Sequence, residues 1–196
     1  MSTALQGLAY GGSATAVGYA SRASDAGSAF GVNARATALR STALGVTTSA
    51  DFENSTAVGF GARTTAANMV RIGNTGVTKV EGQVAFSSSS DRRLKQDVKP
   101  SQLGLEFIND LTPVQYRRIN DPNSGTEFGL IAQDLQAALE RNEATDSSMV
   151  SVSENDGMMS VRYNDLIAPM IAAIQELSEQ NRELRQRLQV LESGQK

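Results

Sequence analysis

The chain has 196 residues, 18 Lys plus Arg against 21 Asp plus Glu, a formal net charge of −3, and neither cysteine nor histidine. This composition excludes a disulfide framework, a thiol nucleophile, a Ser-His-Asp triad and a zinc site built on His or Cys. No Asp/Asn run has the spacing of a calcium loop, so no metal and no cofactor are expected. Up to Ser89 there are 6 basic and 4 acidic residues, and from Ser90 onward 12 and 17. Neither half is basic enough for a nucleic-acid partner, and no apolar run is long enough for membrane insertion.

The first third is dominated by Gly, Ala, Ser and Thr. A unit of small residue, Ala, apolar residue and Gly recurs as Thr15-Ala16-Val17-Gly18, Ser28-Ala29-Phe30-Gly31, Thr42-Ala43-Leu44-Gly45 and Thr56-Ala57-Val58-Gly59, at spacings of 13, 14 and 14 residues. A fixed short period means one supersecondary unit per repeat, stacked on its neighbours. The expected unit is two short strands with turns. One large apolar residue per unit (Val17, Phe30, Leu44, Val58) is expected to point inward, with Ala and Gly where backbones approach closely. Phase-locked apolar positions argue against a flexible linker. A coil this thin buries little, which points to several chains sharing an axis. Met1 opens almost directly into repeats, as expected of a segment cut from a longer fibre. Tyr10, Tyr19, Phe52 and Phe60 read as packing or loop residues, and no receptor is identified. The repeats, over residues 10–65, resemble the head domain of trimeric autotransporter adhesins. That resemblance implies a left-handed parallel β-roll made by three chains.

Residues 69–86 leave the repeat pattern and alternate apolar and polar, with Val70, Ile72, Val77, Val80, Val84 and Phe86 on the apolar side. Short half-buried strands with turns at Gly73, Gly76 and Gly82 are expected, a β neck followed by a polar loop over residues 87–90. The junction then reads Ser90-Asp-Arg-Arg-Leu-Lys95. A serine five residues before a lysine, in a chain without His or Cys, is a candidate self-cleavage site. A lysine amine activates a serine hydroxyl if burial or neighbouring positive charge, here Arg92, Arg93 and Lys99, disfavours its ammonium form. The same residues are also an ordinary helix-cap pattern, and Ser87, Ser88 and Ser89 are out of register with Lys95.

Beyond the junction, Leu103, Phe107, Ile108 and Leu111 fall at helical spacing and stop before Pro113. Val114-Gln-Tyr116 reads as a strand, and Phe128-Gly-Leu-Ile-Ala132 as a strand running into a helix over residues 133–139. Residues 149–153 and 158–163 flank Glu154-Asn-Asp-Gly157, a hairpin signal. Ile167, Met170, Ile174, Leu177, Asn181, Leu184, Leu188 and Leu191 then alternate by three and four. They are the a and d positions of a heptad repeat, with a polar a-site at Asn181 that sets register and strand number. Glu176, Glu179, Glu183, Arg182, Arg185 and Arg187 lie outside that seam. Pro169 places the start of the regular helix close by, with Leu166 and Ile167 docked on the domain. The alternative is an amphipathic helix docked wholly on its own domain.

The junction hexad, Leu105-Glu-Phe-Ile-Asn-Asp-Leu-Thr-Pro-Val-Gln-Tyr116, Gly129-Leu-Ile-Ala-Gln133 and Val161-Arg-Tyr163, in that order before a coiled coil, resemble the C-terminal intramolecular chaperone of phage endosialidases and tail fibres. The resemblance spans about residues 87–192. It implies a domain that trimerises, folds the upstream fibre as its client and releases itself by single-turnover autoproteolysis. The implied serine–lysine dyad is Ser90 as nucleophile and Lys95 as general base, with Asp91 in support after the scissile Ser90–Asp91 bond. The residues alone leave the bond before Ser90 as an alternative.

The fold class expected is therefore an all-β trimeric roll with a short β neck, followed by an α+β chaperone domain ending in a trimeric coiled coil. The divisions are 1–66 repeats, 67–86 neck, 87–99 cleavage junction, 100–163 α+β core and 164–196 coiled-coil helix. The expected partner is a homotrimer of the chain itself, and the location a virion tail fibre or a bacterial cell surface. A non-cleaving trimerisation module of an adhesin or tail fibre is the competing reading. A sugar-degrading activity is set aside, because only repeats lie upstream.

Overall fold

The computed structural model describes residues 7–119, 121, 125–153 and 156–193. The chain divides after Gln83 into two main units.

The first unit is a solenoid of two parallel sheets. One sheet stacks β1 (Leu8–Tyr10), β3 (Arg22–Ser24), β5 (Arg35–Ala36) and β7 (Ser49–Ala50). The other stacks β2 (Thr15–Val17), β4 (Ser28–Phe30), β6 (Thr42–Leu44), β8 (Thr56–Val58) and β9 (Val70–Ile72). Each repeat contributes one strand to each sheet, so Ala16, Ala29, Ala43 and Ala57 stack in one column and Ala9, Ala23, Ala36 and Ala50 in another. Corners are made by residues at positive φ, Asn33, Thr47 and Gly61 among them. Buried Ser21, Ser41 and Ser55 anchor the corners by donating to the carbonyls of Gly18, Ala38 and Phe52.

The interior is the reverse of the expected one. Its core is alanine: Ala23, Ala29, Ala34, Ala36, Ala43, Ala50, Ala57 and Ala62, all essentially without solvent contact. The large apolar residues point outward, with Phe30 39% and Leu44 49% exposed. The reason is the period of two along a strand. Once Ala43 faces the opposite sheet, Leu44 must face away, and sheets this close leave no room for more than a methyl group. The glycine after each outward residue is equally constrained. Gly31 has φ +131°, and a Cβ there would lie 2.4 Å from the carbonyl oxygen of Gly45 one coil on.

The neck differs too. Val70–Ile72 does not break the repeat: it pairs in register with Thr56–Val58, 14 residues earlier, and closes the second sheet. Beyond it Val77, Val80, Val84 and Phe86 are exposed and lie in no strand, so the expected alternation of half-buried strands is absent there. The alternation signal had no partner strand to act on.

The second unit follows the expected order. Helix α1 (Leu105–Asp110) precedes the hairpin of β10 (Val114–Tyr116) and β11 (Glu127–Gly129), then α2 (Ala132–Arg141) and the hairpin of β12 (Val150–Val152) and β13 (Met159–Val161). Glu154 and Asn155 of the predicted hairpin turn lie outside the described residues. The core is Leu103, Phe107, Leu135, Ala138, Leu139, Ala144, Met149 and Leu166. Arg141 clamps Asp110 with two hydrogen bonds of 2.9 and 3.0 Å, fastening α2 to α1. That pairing holds the Asp110 carboxyl below its ordinary range.

Helix α3 (Ile167–Ser193) runs for 27 residues. Pro169 sits in its first turn, where the missing N–H has no intrahelical role. Leu166 is docked in the core as expected, but Ile167 is half exposed. Pro169 and Ala173 are buried, and Glu176 accepts from the backbone N–H of Leu105 at 3.1 Å, so this face of α3 lies on its own domain. The a and d residues lie on other faces. Ile174 is 63% exposed, Leu188 57% and Leu191 65%. The docked face and the exposed a/d seam are thus different faces of one helix.

Candidate active site

The junction is built around one short 3₁₀ turn, Arg92–Leu94. Asp91 is its N-cap: its carboxylate accepts from the backbone N–H of Arg93 at 2.8 Å, satisfying a donor the turn cannot pair internally. The Lys95 N–H closes the other end on the carbonyl of Arg92 at 3.1 Å. With both ends tied, the flanking residues are brought together, and the Lys95 ammonium donates to Ser90 Oγ at 2.8 Å. A spacing of five residues suffices because the turn folds the four between into a single coil. Among the described residues it is Ser90, not Ser87, Ser88 or Ser89, that the Lys95 ammonium meets.

Arg93 takes a role other than the one the sequence suggested. Its Nε and Nη2 reach the two Asp91 carboxylate oxygens at 3.0 and 2.8 Å, a fork onto a fork. The Arg93 side chain, and then its backbone N–H, hold the Asp91 carboxyl below its ordinary range, and Asp91 raises the guanidinium in return. Arg93 was expected to lend positive charge to Lys95; it is instead spent on Asp91. Residue types alone do not show this: the fork forms because Asp91 caps the turn at the Arg93 N–H, which leaves its carboxylate within reach of the Arg93 side chain. Ser90, Asp91, Arg92, Arg93, Leu94 and Lys95 are all solvent-exposed. No group of three or more His, Cys, Asp or Glu among the described residues is placed to hold a metal ion.

A second contact ties the family motifs quoted above to each other. The Tyr163 hydroxyl accepts from the Leu130 N–H at 2.9 Å. A Cβ on Gly129 would lie 2.4 Å from that hydroxyl, so glycine there makes room for the tyrosine.

A repeat-built parallel roll, a capped serine–lysine turn and an α+β domain with an unpartnered helical seam define a class, the fibre segment joined to an assembly domain. Family models state it in particular terms. Residues 90–142 match the peptidase-class family described as chaperone of endosialidase. Residues 9–28, 25–46 and 36–62 match the YadA head domain repeat. The chain is thus an adhesin- or tail-fibre-type segment carrying a chaperone-type domain. No curated protein matches it. No described helix is long and apolar enough to cross a membrane.

Proposed function

We propose that three copies of this chain assemble through the α3 seam, that the assembled chaperone domain aligns the roll, and that the domain then releases itself by cutting at the junction. The observation that carries the reading is the 2.8 Å contact between Lys95 Nζ and Ser90 Oγ in a turn capped at both ends. Ser90 is the nucleophile, Lys95 the general base and Asp91 the residue that sets the turn. Support for three copies comes from the exposed a/d seam, the outward apolar column on the roll and the matched family models, whose members are trimeric.

A lysine acts as base only where water no longer favours its ammonium form. One chain leaves the turn in solvent, so enclosure by neighbouring copies is the step that switches the dyad on. Cleavage then follows assembly, the order a folding checkpoint requires. Alignment matters because a shallow parallel repeat pairs out of register by one coil at little cost. Tethering three rolls at one end brings their effective concentration to roughly the millimolar range. Loss of the tether afterwards leaves a fibre that is kinetically trapped.

The chemistry limits which Ser90 hydroxyl attacks which carbonyl. In the step, Oγ adds to a backbone carbonyl carbon, its proton passes to Lys95 and then to the departing amine, and water hydrolyses the ester. Attack by Ser90 on the preceding carbonyl of its own chain closes a five-membered ring. Attack on its own carbonyl, the one cut between Ser90 and Asp91, closes a strained four-membered ring. A cut after Ser90 therefore takes its nucleophile from a neighbouring copy, and a cut before Ser90 proceeds within one chain.

Denaturing electrophoresis of purified protein beside Ser90→Ala and Lys95→Ala tests the reading. Two fragments from the parent and one full-length chain from each variant support it. Full-length chain from all three, with a trimeric native mass, reduces the domain to a non-cleaving trimerisation module.

A further inference from the structure

The two sheets of the roll turn different chemistry outward. Beside the alanine column, the second sheet places Val17, Phe30, Leu44, Val58 and Ile72 in register on the outside. The first sheet, on the other side of the alanine core, places Arg22, Arg35, Ser49 and Arg63 in register. The three arginines are exposed, and stacked strands put successive members about 4.8 Å apart, a column of roughly 14 Å along the roll axis. Like charges directly opposite on paired strands repel. The nearby carboxylate, Asp51, is 3.9 Å from Arg35 Nε and also accepts from the hydroxyls of Thr37 and Ser49. Arg35 thus has a loosely placed counter-charge, and among the described residues no ion pair is seen for Arg22 or Arg63.

We infer that this column is a binding stripe for an extended anionic polysaccharide, one bearing sulfate or carboxylate groups along its chain. Three observations select that class. The cations form a line, which suits a polymer rather than a single phosphate. They are arginines, whose planar fork matches sulfate and carboxylate oxygens. Ser24 and Thr37, two places on from Arg22 and Arg35, give their hydroxyl protons to the Thr37 carbonyl and to Asp51, which leaves the hydroxyl oxygens as acceptors for sugar hydroxyls. The stripe also faces away from the apolar column, so burying that column between copies leaves it open. Its function is independent of cleavage at Ser90. Nucleic acid is the lesser fit: the chain as a whole carries −3.

Immobilised heparin is the probe, with the full chain in low-salt buffer. The parent chain is retained and eluted by salt, because exposed charges are screened. Arg22→Ser/Arg35→Ser/Arg63→Ser, using the residue that Ser49 already places in the column, weakens binding by about tenfold or more. Arg40→Asn removes the same single charge as Arg35→Ser but outside the column, and weakens binding less. Asp51→Asn tightens binding by about two- to threefold, since it removes the opposing charge. Far-UV circular dichroism checks folding; should the triple variant misfold, the opposite signs expected for Arg35→Ser and Asp51→Asn decide. No retention of the parent, equal retention of a folded triple variant, or equally strong retention on single-stranded DNA overturns the inference.

Discussion

The two halves of the chain solve the burial problem in opposite ways. The chaperone-type unit hides its large side chains, Phe107, Leu135, Leu139, Met149 and Leu166, in a core of its own. The roll fills its interior with alanine and turns Phe30, Leu44 and Ile72 outward. Each alanine contributes little hydrophobic stabilisation, because burial scales with apolar area. The roll thus leaves its large apolar residues outside, whereas the chaperone-type unit buries a core of its own and exposes apolar residues along the α3 seam and at Phe128, Val152 and Met158. Under the proposed function, the alanine-filled roll is the client and the unit with its own core nucleates assembly, which is the physical case for a chaperone in the same chain.

The comparison breaks most visibly at the seam. Leu184→Glu places a charge at a d position and is expected to abolish association, giving a monomeric mass by light scattering and no cleavage. Survival of the trimer would mean that the roll assembles unaided. A roll substitution comes next. Ala43→Leu overfills an interior with no free volume at a cost of about 1–3 kcal/mol per chain, read as a lower unfolding temperature of the roll with α3 association intact. A smaller effect is expected from Asn181→Ile, which replaces the polar a-site by an apolar one. Association tightens, but the native mass becomes heterogeneous as register and strand number lose their marker. In the single chain the Asn181 side chain only donates back to the Leu177 carbonyl of its own helix, at 2.9 Å.

The smallest effect is on pH. Asp91 has a depressed folded-state pKa, from an ordinary value of 3.8. Its cap is fully in place above that ordinary value and is lost as pH falls through the lower folded one. Below about pH 4 the turn loosens and the junction amides shift in NMR spectra; the Arg141–Asp110 clamp, whose carboxyl is also depressed, titrates in the same acid range and is followed through its own amides. Asp91→Asn, which keeps an acceptor for the Arg93 N–H, removes most of the junction titration.

Much of this was legible in the residues. The alternation of three and four from Ile167 to Leu191 announces a helix seam by itself, and a period of 13 or 14 announces stacked coils. The direction of the roll was not legible. Thr-Ala-Val-Gly alternates small and large residues, and period two assigns them to opposite faces without saying which is inside. The larger residue is the natural choice for a core unless the coil is too thin and its apolar face is covered by something outside one chain. Val70–Ile72 was missed as a repeat because Arg71 stands where the other coils have alanine, although the spacing persists. At the junction, the pairing of Ser90 with Lys95 was readable as a spacing; the Arg93–Asp91 fork that shapes the turn depends on cap geometry, which residue types do not display.

The most direct test of self-release is the intact mass of the freshly purified parent chain. The account predicts two masses, residues 1–90 and 91–196, meeting at the bond between Ser90 and Asp91. A single mass for all 196 residues in a protein of trimeric native size would contradict it.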